Sequence, residues 1–273
     1  LLSECERSSS RGRMLTLWQR RVVVLTQQLR AMSSTASGSV GSSSPAAGTP
    51  IQQLMQEAVE QSGSQDVNAG WSKAWEKQVT PWDAGDSSPI LLRAIDQGWL
   101  SDYRNGFVPG CGSGYDVLHL SRVLPEGAVG LDVAELAVEK FKRLREEKGV
   151  PEDKAMVVLD DFFAYEPPKP FDFIFDYTFL CAMQPSQRDA WADTIKRLLR
   201  PGGELMTIIY PINPSLQSGP PFAMTYDLVA GLLEPRGFEK FYEEEHPVDS
   251  IKPRRGMEHL VRWRLRGAAE EKR

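Results

Sequence analysis

Cysteine is scarce in this sequence: Cys5, Cys111 and Cys181 are the only three among 273 residues. Thiols so few and so scattered exclude a disulfide framework and a zinc cage. Histidine is equally sparse, and His119, His246 and His259 share no metal-ligand spacing, so no metal is expected. The apolar run Val22–Leu25 is far too short to span a bilayer, and no membrane partner is expected. An excess of positive charge is missing too. The net charge of −5 and a pI near 5.4 argue against a nucleic-acid surface, which needs a basic footprint.

One absence is local. From Met14 to Gln56 there is no acidic residue, while Arg20, Arg21 and Arg30 come early and serines abound later. Basic, serine-rich and acid-poor is the composition of an organelle transit peptide. Residues 1–49 are therefore expected to be a leader outside the fold, with Met14 or Met32 as the start. A transit peptide would send the protein to plastid or mitochondrion; a plain disordered Ser/Gly/Ala/Pro tract would leave it in the cytoplasm. Residues 50–266 form the expected domain and 267–273 a short tail.

What is present begins with Phe107-Val108-Pro109-Gly110-Cys111-Gly112-Ser113-Gly114. A short apolar run enters alternating glycines, and the apolar-periodic segment Val117 to Val123 leaves them. That pattern reads as strand, tight turn, helix, with backbone open to a ligand and free N–H groups at the helix start. A dinucleotide fingerprint wants G-x-G-x-x-G, with a small residue for helix–strand packing, and Tyr115 is too large for that slot. The observed G-x-G-x-G is the form used by S-adenosylmethionine-dependent methyltransferases. The run Ala128 to Asp132 looks like a second strand ending in a carboxylate, placed to accept both ribose hydroxyls.

Around this turn the order of elements is regular. Thr49-Pro50 with Gln52 reads as a helix start, and Gly63 to Gly70 as a polar turn. Trp71 and Trp75 then share a helix face, with Trp82 just beyond. These indoles either anchor the helix on the core or close over a cation, which an indole face attracts. Ser88-Pro89 starts a helix that ends at Gly98. Ala134 to Lys148 is a charged helix with Leu136, Val138, Phe141 and Leu144 inward. Ala155 to Leu159 is a strand leading to Asp161 and Phe162, a pair that suits either an adenine contact or a turn. Phe171 to Leu180 is a central strand with Asp176 and Tyr177 at its lip. A helix from Ser186 to Leu199 closes at Pro201-Gly202-Gly203, and Glu204 to Tyr210 is a fifth strand. After a proline-rich loop, Thr225 begins a helix to Leu233. Segments 238–244 and 259–265 alternate as a terminal antiparallel pair. The alternation predicts an α/β fold, a doubly wound, mostly parallel sheet of seven strands with an N-terminal helical cap.

Trp71-x3-Trp75, Thr80-Pro-Trp-Asp83, Val108-Pro-Gly-Cys-Gly112, Gly130-Leu-Asp132, Phe175-Asp-Tyr177, Arg200-Pro-Gly-Gly-Glu204 and Tyr210-Pro211 together resemble the thiopurine S-methyltransferase family. The likeness runs in order from about Gln52 to Arg264, and is greatest to the plant and algal methyl halide and thiol (thiocyanate) methyltransferases. The resemblance implies a Rossmann-like class I methyltransferase. Its S-adenosyl-L-methionine site would comprise Trp71, Trp75, Trp82, Gly110, Gly112, Asp132, Asp161, Phe162 and Tyr177. The acceptor would be a halide, thiocyanate, bisulfide or small thiol, and the protein a monomer. A thiopurine-like acceptor, or cofactor binding without catalysis, is the alternative.

Methyl transfer from a sulfonium is an in-line displacement that asks the protein for alignment and exclusion of water. Anionic acceptors need no base. For a neutral thiol, Tyr210 is the expected proton relay, with Tyr177 lining the methyl end, unless Tyr210 merely packs under the proline loop. A base-flipping methyltransferase would carry an Asp/Asn-Pro-Pro-aromatic lip where this chain has Phe175-Asp-Tyr-Thr.

Overall fold

The computed structural model describes residues 67–267 together with Gln53 and Glu57. The expected leader, the helix start at Thr49 and residues 268–273 of the tail lie outside the described residues. Seven strands run β1 (Gly106–Pro109), β2 (Ala128–Asp132), β3 (Ala155–Leu159), β4 (Phe171–Tyr177), β5 (Leu199–Ile209), β6 (Phe238–Glu245) and β7 (His259–Leu265). Helices α1 (Val67–Glu76), α2 (Pro89–Asp96), α3 (Tyr115–Val123), α4 (Glu135–Glu147), α5 (Arg188–Leu198) and α6 (Tyr226–Leu233) fill the connections. They form one sheet in the order β3-β2-β1-β4-β5-β7-β6. Strands β1 to β5 are parallel, and β7 enters antiparallel between β5 and β6.

Period-two alternation explains why both faces are covered. Phe107, Ile174 and Leu205 point to one face, against Trp191, Ile195 and Val229 of α5 and α6. Their neighbours Val108, Phe173, Phe175 and Met206 point to the other, against Ile90, Leu91, Val117 and Phe141 of α2, α3 and α4. Phe171 and Phe173 fall on opposite faces because the β4–β5 register shifts between them. Strand order reverses between β1 and β4, so the carboxyl ends of these two strands open a crevice, where open α/β sheets bind ligands.

Several sequence expectations are corrected. Helix α1 begins at Val67, inside the stretch read as a polar turn. Leu136 is 42% exposed rather than inward. The buried stripe of α4 is Ala137, Val138, Phe141 and Arg145, and Arg145 donates to the Ala155 carbonyl at 3.2 Å. The sequence Pro201-Gly202-Gly203 does not close a helix. It lies inside β5, which starts at Leu199, and the extra residues are absorbed where Phe171 pairs with Leu199 but Phe173 pairs with Glu204. Glu204 is fully buried and is held by Arg262 (2.6 and 2.9 Å) and by the Tyr103 hydroxyl (2.5 Å). Strand β4 stops at Tyr177 instead of Leu180, because Thr178 takes a left-handed φ of 62°.

Candidate active site

The glycine turn joins β1 to α3, and each glycine answers a separate packing demand. A Cβ on Gly114 would overlap the Phe141 ring of α4, and one on Gly110 would overlap Phe179; both have positive φ. Gly112 is different. Its nearest neighbours are the indoles of Trp75, 3.5 Å from where a Cβ would stand, and Trp82, at 3.9 Å. Beneath the turn, Gly130 of β2 leaves room for the Cys111 sulfur. Burial, with Asp132 nearby, pushes the Cys111 thiol well above its usual range, so it sits there as a small apolar group.

Asp132 ends β2 directly behind this turn. One carboxylate oxygen accepts the Gly112 N–H at 2.9 Å and the other the Ala134 N–H at 2.9 Å. Burial raises its carboxyl above the ordinary carboxylate range, against the pull of those N–H groups. Each oxygen retains a further lone pair for a ligand hydroxyl.

The three indoles gather as one cluster. Trp82 meets Trp71 edge-on at 5.3 Å between ring centroids and Trp75 at 6.1 Å. Asp83 fixes this cluster to the turn, accepting from Ser113 Oγ at 2.6 Å, Lys140 Nζ at 2.7 Å and the Gly85 N–H at 2.9 Å. The Lys140 ammonium also lies 5.4 Å from the Trp75 ring.

Asp161 lies further along the crevice, after β3. Its Oδ1 accepts the Phe163 N–H at 2.7 Å, and its Oδ2 faces Asn68 Nδ2 of α1 at 3.4 Å. The turn expected as one of its two roles is thus present, and it does not occupy every lone pair. Phe162 is buried edge-on to Phe163 and Phe179.

At the other end of the crevice stand Tyr177 and Tyr210, with ring centroids 6.5 Å apart. The buried Arg254 lies between them, 4.9 Å from one ring and 5.0 Å from the other, and donates to the Trp82 carbonyl at 2.8 Å. It therefore links the loop between β6 and β7 to the indole segment. The Tyr177 hydroxyl donates to Glu258, whereas the Tyr210 hydroxyl has no hydrogen-bond partner among the described residues. Burial raises both phenols, Tyr177 further than Tyr210. Cys181 lies under the same wall, its thiol pushed up to about 12 by burial, and its carbonyl accepts the Phe222 N–H at 2.7 Å. Arg188 places its guanidinium 5.7 Å from the Phe222 ring, with Nε buried and unpaired among the described residues.

The crevice thus brings together the sequence-predicted Trp71, Trp75, Trp82, Gly112 and Asp132 at one end and Tyr177 and Tyr210 at the other. Gly110 lies on the turn but under Phe179. Sequence reasoning missed Arg254, Glu258, Arg188 and Phe179. Only Arg188 carried a local sign, as a cation at the start of a helix, where cations are unusual. No helix of the described residues is long and apolar enough to cross a membrane.

The family model described as thiopurine S-methyltransferase matches residues 67–264. A probable thiol methyltransferase 2 of Arabidopsis thaliana is 39% identical over 202 residues, spanning 74% of this chain and 87% of its own length. Thiocyanate methyltransferase 1 of Brassica oleracea is 41% identical over 197 residues, covering 71% and 84%. Among solved structures, a Burkholderia thailandensis 1,6-didemethyltoxoflavin-N1-methyltransferase with bound S-adenosylhomocysteine superposes with a TM-score of 0.58 at 16% identity, covering 83% of this chain and 94% of that one. The N-methyltransferase NodS of Bradyrhizobium japonicum, in complex with S-adenosyl-L-homocysteine, gives 0.55 at 17% identity over 71% and 97%.

Proposed function

Because the chain belongs to the thiopurine S-methyltransferase family, we propose that it methylates thiocyanate, bisulfide, halides and small thiols, with S-adenosyl-L-methionine as donor. The observation that carries this reading is the packing of Trp75 and Trp82 on Gly112, whose N–H is bonded to Asp132. Bare backbone, a buried carboxylate and two indole faces suit a nucleoside that carries a sulfonium. When bound, that cofactor supplies an already activated methyl group.

The chain's own residues then have three tasks. Asp132 would hold the ribose hydroxyls through its remaining lone pairs, Asp161 and Phe162 would take the adenine, and Gly110 and Gly112 would leave room for the methionine end. Trp71, Trp75 and Trp82 surround the sulfonium and exclude water, which strips the hydration shell from an attacking anion. Tyr177 and Tyr210 wall the acceptor, and Arg188, whose Nε has no hydrogen-bond partner among the described residues, offers it a cation. An anionic acceptor arrives ready to attack, so alignment and desolvation suffice. A neutral thiol must also lose a proton, which leaves through a hydroxyl of the tyrosine pair.

Headspace gas chromatography on protein mixed with S-adenosylmethionine and thiocyanate, bisulfide, iodide or a thiol tests this directly. Methyl thiocyanate and methyl sulfides are the expected volatiles, with methyl iodide from iodide. Protein that binds S-adenosylhomocysteine yet releases none of them would overturn the proposal.

A further inference from the structure

Glu258 is 1% exposed, and nothing in the reaction with an anion uses it. It stands one residue before β7, whose His259 pairs with Ile209 of β5; Tyr177 of β4 pairs with Ile208. Three adjacent strands thus deliver Tyr177, Tyr210 and Glu258 to the same lip. One Glu258 oxygen accepts from the Tyr177 hydroxyl. The other, Oε2, is buried with no hydrogen-bond partner among the described residues. A buried carboxylate half-satisfied by a phenol at a substrate wall is costly to keep for packing alone.

We propose that Glu258 is the terminal proton acceptor for neutral thiols, reached through Tyr177. This rests on the reading above that thiols are among the acceptors. The step balances as follows. A sulfur lone pair of the thiol forms the new carbon–sulfur bond, and the donor's methyl–sulfonium bond breaks, leaving a neutral thioether. As that carbon–sulfur bond forms, the S–H proton passes to the Tyr177 oxygen while the Tyr177 proton passes to Glu258 and later to solvent, so no protonated sulfonium accumulates. Tyr177 suits a relay rather than a base, because burial, and Glu258 beside it, hold the phenol well above its ordinary range and so protonated. The other titratable groups facing this pair are Arg254, whose cation opposes that rise, and, on the Tyr210 side, Cys181. The Tyr210 hydroxyl has no onward acceptor among the described residues, so it belongs to the wall and not to the route.

The test compares kcat/KM for an aliphatic thiol with kcat/KM for thiocyanate, which has no proton to lose. In Glu258→Gln the thiol-to-thiocyanate ratio is expected to fall about 100-fold, the usual scale of general-base assistance. The native chain's thiol profile should be flat with pH. That of the variant should climb about tenfold per pH unit below the thiol pKa, because only thiolate still reacts. Tyr177→Phe should reproduce the fall, and it serves as the test if Glu258→Gln does not fold. A readout apart from turnover is carbon-13 NMR of ring-labelled tyrosine with S-adenosylhomocysteine bound, in which the Tyr177 Cζ resonance should move at neutral pH in Glu258→Gln as the hydroxyl loses its carboxylate partner. A ratio unmoved within about threefold while both substrates still react would sink the relay alone. A native chain that methylates neither acceptor would sink the functional reading and the relay with it.

Discussion

Ser113 Oγ donates to Asp83 Oδ2 at 2.6 Å, and through this bond the glycine turn after β1 is tied to the segment that carries Trp82. Two motifs thirty residues apart are thus one structural unit. Burial alone would raise the Asp83 carboxyl, but the hydrogen bonds from Lys140 and Ser113 outweigh it and hold the group below its ordinary range. Asp83→Ala should weaken S-adenosylhomocysteine binding about tenfold, the loss expected for a charge-assisted hydrogen bond. Calorimetric titration of both proteins checks this, and Asp83→Asn should lose less.

The indole cluster makes a different prediction, because only one form of the cofactor is cationic. Trp75→Leu should weaken binding of S-adenosylmethionine about 3- to 30-fold more than binding of the uncharged S-adenosylhomocysteine, matching the range of cation–π energies. Equal losses for the two ligands would leave Trp75 as a packing residue. Competition binding with both ligands distinguishes the outcomes.

The structural role of Asp132 and the ribose contact proposed for it separate by substitution. Its oxygens hold Gly112 and Ala134, so Asp132→Ala should lower thermal stability by about 1–3 kcal/mol for the donors left unpaired, besides weakening the cofactor. Asp132→Asn keeps one acceptor and should lose mainly affinity, about tenfold. Melting temperature and binding constant, measured on the same samples, give the two effects separately.

A pH dependence follows from Asp176, which is buried at the end of β4 and accepts from Leu180 N–H (3.2 Å) and Trp191 Nε1 (2.9 Å). Burial raises its carboxyl to about 6, against an ordinary 3.8. Between these values the native chain keeps a proton that the unfolded chain has lost, so rising pH destabilises the fold until about pH 6. Relative to Asp176→Asn, native stability should fall by roughly 3 kcal/mol across that window and stay level above it. Urea midpoints at pH 4 and pH 7 for both proteins measure the difference.

Local pattern carried most of the fold. Strands 128–132 and 155–159 lie where the apolar runs and their bounding turns place them; burial explains the run of β2, whereas β3 is an edge strand that keeps the apolar signature although Met156 and Leu159 are exposed. Pro201-Gly202-Gly203 misled for the opposite reason: breaker residues usually end elements, yet here they form an irregularity inside a strand that its partners hold in place. Helix α4 misled as well: Leu136 stands exposed, while Arg145 turns inward to bond a carbonyl, which periodicity does not reveal. At the candidate site, the glycine turn and the carboxylate that ends β2 were legible, and they do come together, with Gly112 N–H bonded to Asp132. Glu258 and Arg254 were not. Each acts on a residue more than seventy positions away, and nothing in Arg-Arg-Gly-Met-Glu marks either one before the strands are paired.

The insertion of β7 between β5 and β6 governs the order of assembly. A ribosome must have delivered His259 before the sheet can be finished, and the crevice draws its walls from Trp71 near one end of the described residues and Glu258 near the other. A nascent polypeptide that ends before the loop between β6 and β7 has the glycine turn but neither Glu258 nor the Arg254 that bonds the Trp82 carbonyl. Cofactor binding is therefore expected to stabilise molecules that carry this loop more than shorter ones.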